Sequence, residues 1–151
     1  MTLRLPGALA DEIRRHGEAA YPAECCGALI GRADDGAGQG VGSGAAKEVV
    51  RLWPAINRRT DDPHRYLIAP DDLRRLEREV REAGHEIVGY YHSHPDHPPR
   101  PSAFDTEHAW PWYSYLIVRI DGGRSADLAS WVLDDARPEM HPESVDVLSE
   151  V

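Results

Sequence analysis

The segment His92-Ser93-His94-Pro95, followed by Ser102 and Asp105, constrains this chain more than any other feature. Two histidines at i and i+2 of an extended segment project to one side of it, so both rings can reach a single ion. Asp105 lies eleven residues after His94, far enough for the chain to turn back and bring a hard oxygen from another direction. Two neutral imidazoles and one carboxylate are the protein ligands of several hydrolytic zinc sites, which keep the fourth position for water. The pattern therefore asks for a fold in which a strand end meets the start of the next element.

A hydrolytic centre also needs a base. Glu24 opens the segment Glu24-Cys25-Cys26-Gly27, ahead of the apolar run Ala28-Leu29-Ile30. An acid at the mouth of a short buried strand is well placed for proton transfer and costly to bury without use. Taken together, Glu24, His92-Ser93-His94-Pro95, Ser102 and Asp105 resemble the signature of the JAMM (MPN-plus) zinc metalloproteases. The flanking segments Tyr21-Pro22-Ala23-Glu24-Cys25-Cys26-Gly27 and Gly89-Tyr90-Tyr91-His92-Ser93-His94 resemble the small prokaryotic, Mec-type branch. The resemblance spans about residues 3–135.

That resemblance implies one zinc ion per chain on His92, His94 and Asp105, with Glu24 as general base and Ser102 stabilising the oxyanion. It implies an α/β fold, a mixed curved β-sheet flanked by helices and layered like the cytidine deaminases. It also implies a metallopeptidase that hydrolyses an amide or isopeptide bond at the tail of a ubiquitin-like sulfur-carrier protein ending in Gly-Gly. Such a tail would lie extended along a strand edge beside the metal. Two alternatives within the resemblance are a deubiquitinase-like isopeptidase and a non-catalytic MPN-type interaction scaffold. A zinc nucleoside deaminase would require H-x-E and P-C-x-x-C, and the chain has neither.

Composition fits this reading. A length of 151 residues, 41% of them hydrophobic, suits one domain with its own core. The core is expected over 3–135, with 136–151 a mobile tail or a last short strand. The 26 acids against 17 bases leave a net charge of −9, which argues against nucleic acid as a partner. The two cysteines are adjacent and poorly placed to bridge, which points to a reducing compartment. No leader pattern or membrane-length apolar run is present, so a cytoplasmic location is expected.

The periodicities predict a helix over 6–20, a strand from Cys25 to Gly31 and a flexible glycine-rich hairpin loop over 33–44. Strands follow at Lys47–Ile56 and His64–Ala69. Leu73, Leu76, Val80 and Ala83 make the stripe of a helix over 71–83, with Gly84 at its C-terminal cap. Glu86 to His94 is apolar on both faces and reads as a central strand. The prolines of 95–101 make a stiff loop, and Ser102 caps a helix over 103–110 that carries Asp105 in its first turn. Tyr113–Ile120 and Ala126–Leu133 form a hairpin around Asp121-Gly122-Gly123.

Other residues read more plainly. Ser93 supports the ligands by packing or hydrogen bonding, and Pro95 stiffens the exit from the strand. Cys25 and Cys26 read as small buried hydrophobes, His97 as an exposed loop histidine, and the tryptophans as core or interface.

Overall fold

The computed structural model describes residues 2–34, 46–57, 68–134, 136 and 138–149. The order is β1 (Thr2–Pro6), α1 (Gly7–Ala20), β2 (Cys26–Asp34), β3 (Ala46–Ala55), α2 (Pro70–Glu82), β4 (Glu86–Pro95), α3 (Ala103–Glu107), β5 (Ser114–Asp121), β6 (Arg124–Leu133) and β7 (Met140–Leu148). The expected 33–44 loop lies almost wholly outside the described residues, as does most of the expected strand His64–Ala69. Ile68 and Ala69 are not in a strand, and Ala69 instead leads into α2.

The sheet is mixed, as expected, but it is not an open sheet with helices layered on its faces. It closes in the order β1-β3-β2-β4-β5-β6-β7. Closure depends on two strands that the periodicity does not announce. β1 holds one alternation, Leu3 and Leu5, both fully buried, and five residues are too few for a period to emerge. β7 pairs antiparallel with β6 and parallel with β1, setting Leu3 beside Val145. The sheet thus dominates, and helices cover less of it than a layered α/β fold would.

Two apolar clusters follow from the alternation of the central strands, shifted by one residue at a bulge where Val88 has no partner on β2. Inside the closed sheet, Val88 and Tyr91 of β4 meet Leu29 of β2, Leu116 and Val118 of β5, and Ala10 and Ile13 of α1. α1 comes close because it carries Gly17 where it crosses β5. A β-carbon there would stand 2.7 Å from Ile120 Cδ1. On the outer face, Leu76 and Val80 of α2 cover Ala28, Ile30 and Ile87. Each of the leucine, isoleucine and valine side chains contributes about 1.5–3 kcal/mol on burial. β4 therefore has both faces covered, which explains its unbroken apolar run.

The local signals hold at the helix ends. Gly84, at φ 79°, follows α2, and His85 N–H returns to Val80 O at 2.9 Å. Gly122 and Gly123 make the β5–β6 turn with φ of 54° and 88°. α3 is shorter than expected and ends at Glu107. Pro111 disfavours helical backbone at the residue before it, so the helix cannot run on to 110.

Candidate metal centre

The centre lies where β4 ends and α3 begins. Alternation along β4 puts His92 and His94 on the face that carries Tyr90, while Ser93 points inward toward α1. Both histidines are 1% exposed. Ser102 caps α3 through a reciprocal pair of bonds. Its Oγ accepts from Asp105 N–H at 3.0 Å, and its own N–H donates to Asp105 Oδ2 at 2.9 Å. The cap therefore aims the Asp105 carboxylate back at the strand.

Three atoms converge there. His92 Nε2 and His94 Nε2 lie 3.2 Å apart, and Asp105 Oδ2 is 3.3 Å from the first and 3.1 Å from the second. Ligands at the ~2.0–2.1 Å zinc–nitrogen distance in a tetrahedron stand about 3.3–3.4 Å from one another, close to this triangle. The donor chemistry agrees. His94 Nδ1 lies 2.8 Å from Pro98 O, a carbonyl that only accepts, so Nδ1 carries the proton. In the neutral ring, Nε2 is then a lone pair facing a carboxylate oxygen. Burial pushes His92 below the ordinary histidine value, against the pull of Asp105. Burial also opposes ionisation of Asp105, but its contacts with His92, His94 and the Ser102 N–H outweigh it and hold the carboxyl well below the usual range. The His94 lone pair aimed at a carboxylate in a buried site fits a cation between them. Among the described residues this is the one group of three or more such side chains that could hold a metal ion.

Glu24 sits just before β2, 3% exposed. Its position is tied to β4 at two points. Cys26 pairs across to His92, and Ser93 clamps Cys25, its Oγ accepting Cys25 N–H at 2.8 Å and its N–H reaching Cys25 O at 3.2 Å. Asn57 Nδ2 donates to Glu24 O at 3.2 Å. Ser93 is thus the support between the two histidines that its place in the pattern suggests. Burial pushes the Cys25 thiol up to about 11 and Cys26 up to about 12, so both stay protonated, in keeping with small buried hydrophobes.

Other residues at the centre have no signal in the sequence. The His97 ring stacks on His94 at 4.1 Å and 21°, so it is not simply a loop histidine in solvent. The Pro98 carbonyl orients His94. Trp131 Nε1 donates to Pro99 O at 2.9 Å, holding the 95–101 loop from β6. A backbone acceptor leaves no trace in residue type, and a tryptophan that packs looks like one that also donates.

A closed mixed sheet with two buried imidazoles and a capped carboxylate converging at one end presents a group that could hold a metal ion. The family described as prokaryotic homologs of the JAB domain matches residues 6–134, and the chain belongs to it; it is a JAMM-type hydrolase. A Haloferax volcanii protein named desampylase is 36% identical over 117 residues, 77% of this chain and 75% of that one. A Thermus thermophilus protein named as a probable TtuB-protein conjugate cleaving protease is 29% identical over 125 residues, 83% of this chain and 75% of that one. The fold recurs in a crystal structure of a JAB1/MPN domain protein from Archaeoglobus fulgidus, at TM-score 0.54 and 17% identity over 97% of this chain and 99% of that one. No helix among the described residues is long and apolar enough to cross a membrane.

Proposed function

We propose that this chain is a zinc-dependent peptidase that hydrolyses the amide or isopeptide bond after the C-terminal Gly-Gly of a ubiquitin-like sulfur-carrier protein. The observation that carries the metal reading is the triangle of His92, His94 and Asp105, three potential ligand atoms about a tetrahedral edge apart. When bound, zinc supplies Lewis acidity toward the scissile carbonyl and brings the pKa of water at the centre to about 7. Glu24 takes the proton of the attacking water on its carboxylate and returns it to the leaving nitrogen. Ser102 Oγ accepts from Asp105 N–H and keeps its own proton, which it donates to the carbonyl oxygen as charge develops there.

The substrate reading is supported by the names of the two relatives, which concern ubiquitin-like conjugates. An extended tail would approach by strand addition. β4 is paired on both sides, whereas β3 pairs with β1 only over Ala46 to Glu48. Beyond that pairing, β3 has no second strand neighbour among the described residues as it runs to Ala55 beside Cys26. Free Cys25 and Cys26 suit the reducing cytoplasm in which we place the reaction.

The test is intact mass spectrometry with zinc-loaded wild type and Glu24→Gln. One substrate is a Gly-Gly-ended sulfur carrier extended by one cysteine, the other an isopeptide-linked conjugate of that carrier. Loss of cysteine or release of carrier by wild type alone is expected. Cleavage by Glu24→Gln would remove Glu24 from the chemistry, and inert zinc-loaded wild type would reject the substrate class.

A further inference from the structure

We propose that Asp96, through Tyr21, is a positioning residue that sets Glu24 against the metal-ligand strand. The inference rests on the reading of Glu24 as the proton carrier. Asp96 is the first residue after β4 and takes φ 59°, the left-handed region that Asp, Asn and Gly tolerate best. There it joins three segments. Its N–H donates to Ile120 O at 2.7 Å, and its Oδ1 accepts from Gly122 N–H at 2.7 Å, both around the β5–β6 turn. Its Oδ2 accepts from the Tyr21 hydroxyl at 2.5 Å.

Tyr21 lies three residues before Glu24, and its N–H still belongs to α1, bonded to Gly17 O at 3.1 Å. Asp96 lies two residues after His94 and two before Pro98, whose carbonyl orients the His94 ring. One carboxylate therefore links the segment that delivers the proposed base to the segment that orients a proposed ligand. Ser93 makes the matching link from the buried side, through Cys25. Glu24 is held between two clamps, one buried and one at the surface. The inner clamp fixes the strand pairing. The outer one limits how the α1–β2 junction can tilt, and with it the approach of the Glu24 carboxylate. Proton transfer is sensitive to such tilt, since a displacement of about 1 Å can cost about a hundredfold in rate.

The test uses the full chain, zinc-loaded, with Tyr21→Phe, Asp96→Gly, the double variant, Asp96→Asn and Glu24→Gln. Phenylalanine keeps the ring packing and removes only the hydroxyl, while glycine keeps the left-handed backbone and removes only the carboxylate. Each single variant is expected to lower kcat on the cysteine-extended carrier by about tenfold, with KM, zinc stoichiometry and unfolding midpoint close to wild type. The double variant should fall no further than Asp96→Gly alone, because that variant already removes the Tyr21 link along with the Gly122 bond. Asp96→Asn, which fits the same backbone and keeps one acceptor oxygen, should restore part of the rate. Hydrogen exchange at the Cys25 and Cys26 amides, which needs no substrate, should quicken in both single variants.

Full turnover in Tyr21→Phe and Asp96→Gly, beside an inactive Glu24→Gln, would overturn the positioning role and leave the base in place. Turnover retained by Glu24→Gln would instead overturn the base. Losses that add in the double variant, or that follow the unfolding midpoint, would reduce the link to a structural contact. Unchanged amide protection would overturn it whatever the substrate.

Discussion

The closed sheet holds a buried polar cluster at each end, and the two are built on opposite principles. At one end, His94 turns the lone pair of Nε2 toward Asp105 Oδ2, with His92 Nε2 beside both. At the other, Lys47, fully buried at the start of β3, donates to the Trp112 carbonyl and to Ser114 Oγ at 2.9 Å, with its Nζ 4.6 Å from the centre of the Trp112 ring. Ser130 Oγ likewise donates to Glu143 Oε1 at 2.8 Å. At the Lys47 end, donors meet acceptors: the ammonium has the Trp112 carbonyl and Ser114 Oγ, and Glu143 Oε1 has the Ser130 hydroxyl. At the histidine end, the His94 lone pair meets a carboxylate, and a cation is what makes that contact favourable. Burial and polarity are shared, so the sense of the hydrogen bonds distinguishes a structural cluster from a chemical one.

The sharpest way to break this contrast is to remove a residue from each end. Glu24→Gln should cut turnover by about 10²–10⁴-fold while zinc content and unfolding midpoint stay near wild type, as measured by single-turnover cleavage and metal analysis. His94→Ala should lose stoichiometric zinc, and zinc retained at one per chain would refute its place as a ligand. Lys47→Ala should do the reverse. It should cost about 3 kcal/mol, a melting temperature lower by about 6–12 °C, and leave zinc affinity unchanged. Lys47→Met, which keeps volume and removes the charge, should lose much less. A fall in zinc affinity with either would mean that the two ends are not independent.

Smaller effects sharpen the comparison. Trp131→Phe removes the bond to Pro99 O and should weaken zinc binding by up to about tenfold, through the Pro98 carbonyl that orients His94. Competition with a chelator reads this directly. The smallest effect is a pH dependence away from both ends. Burial holds His16, bonded through Nδ1 to Tyr91 Oη at 2.9 Å, below its ordinary value of 6.5. The unfolded chain therefore takes up the proton first as pH falls, and stability should drop from about pH 6.5 downward. Denaturation midpoints at pH 7.5 and 5.5 should differ less in His16→Gln than in wild type.

Where the sequence is informative, the reason is local. The i, i+2 histidines, the Ser102 cap that aims Asp105, the stripe of α2 and the two-faced β4 each follow from a backbone period or a cap that nearby residues impose. α3 stops short of 110, where Pro111 disfavours helical backbone. β1 escapes notice because it holds a single alternation, and β7 reads only as a last short strand or a mobile tail because its half-exposed pattern gains meaning only beside β1 and β6.

The sequence by itself determined that His92, His94 and Asp105 come together and which local element presents each, because residue type and spacing dictate those. The tertiary structure alone decided that the sheet closes through β1 and β7. It alone placed the Pro98 carbonyl behind His94 and the Asp96 carboxylate under Tyr21. Those choices rest on backbone groups and on contacts between residues far apart in the chain. Every residue carries the same carbonyl, and an aspartate reads the same in sequence whether it faces water or joins three segments.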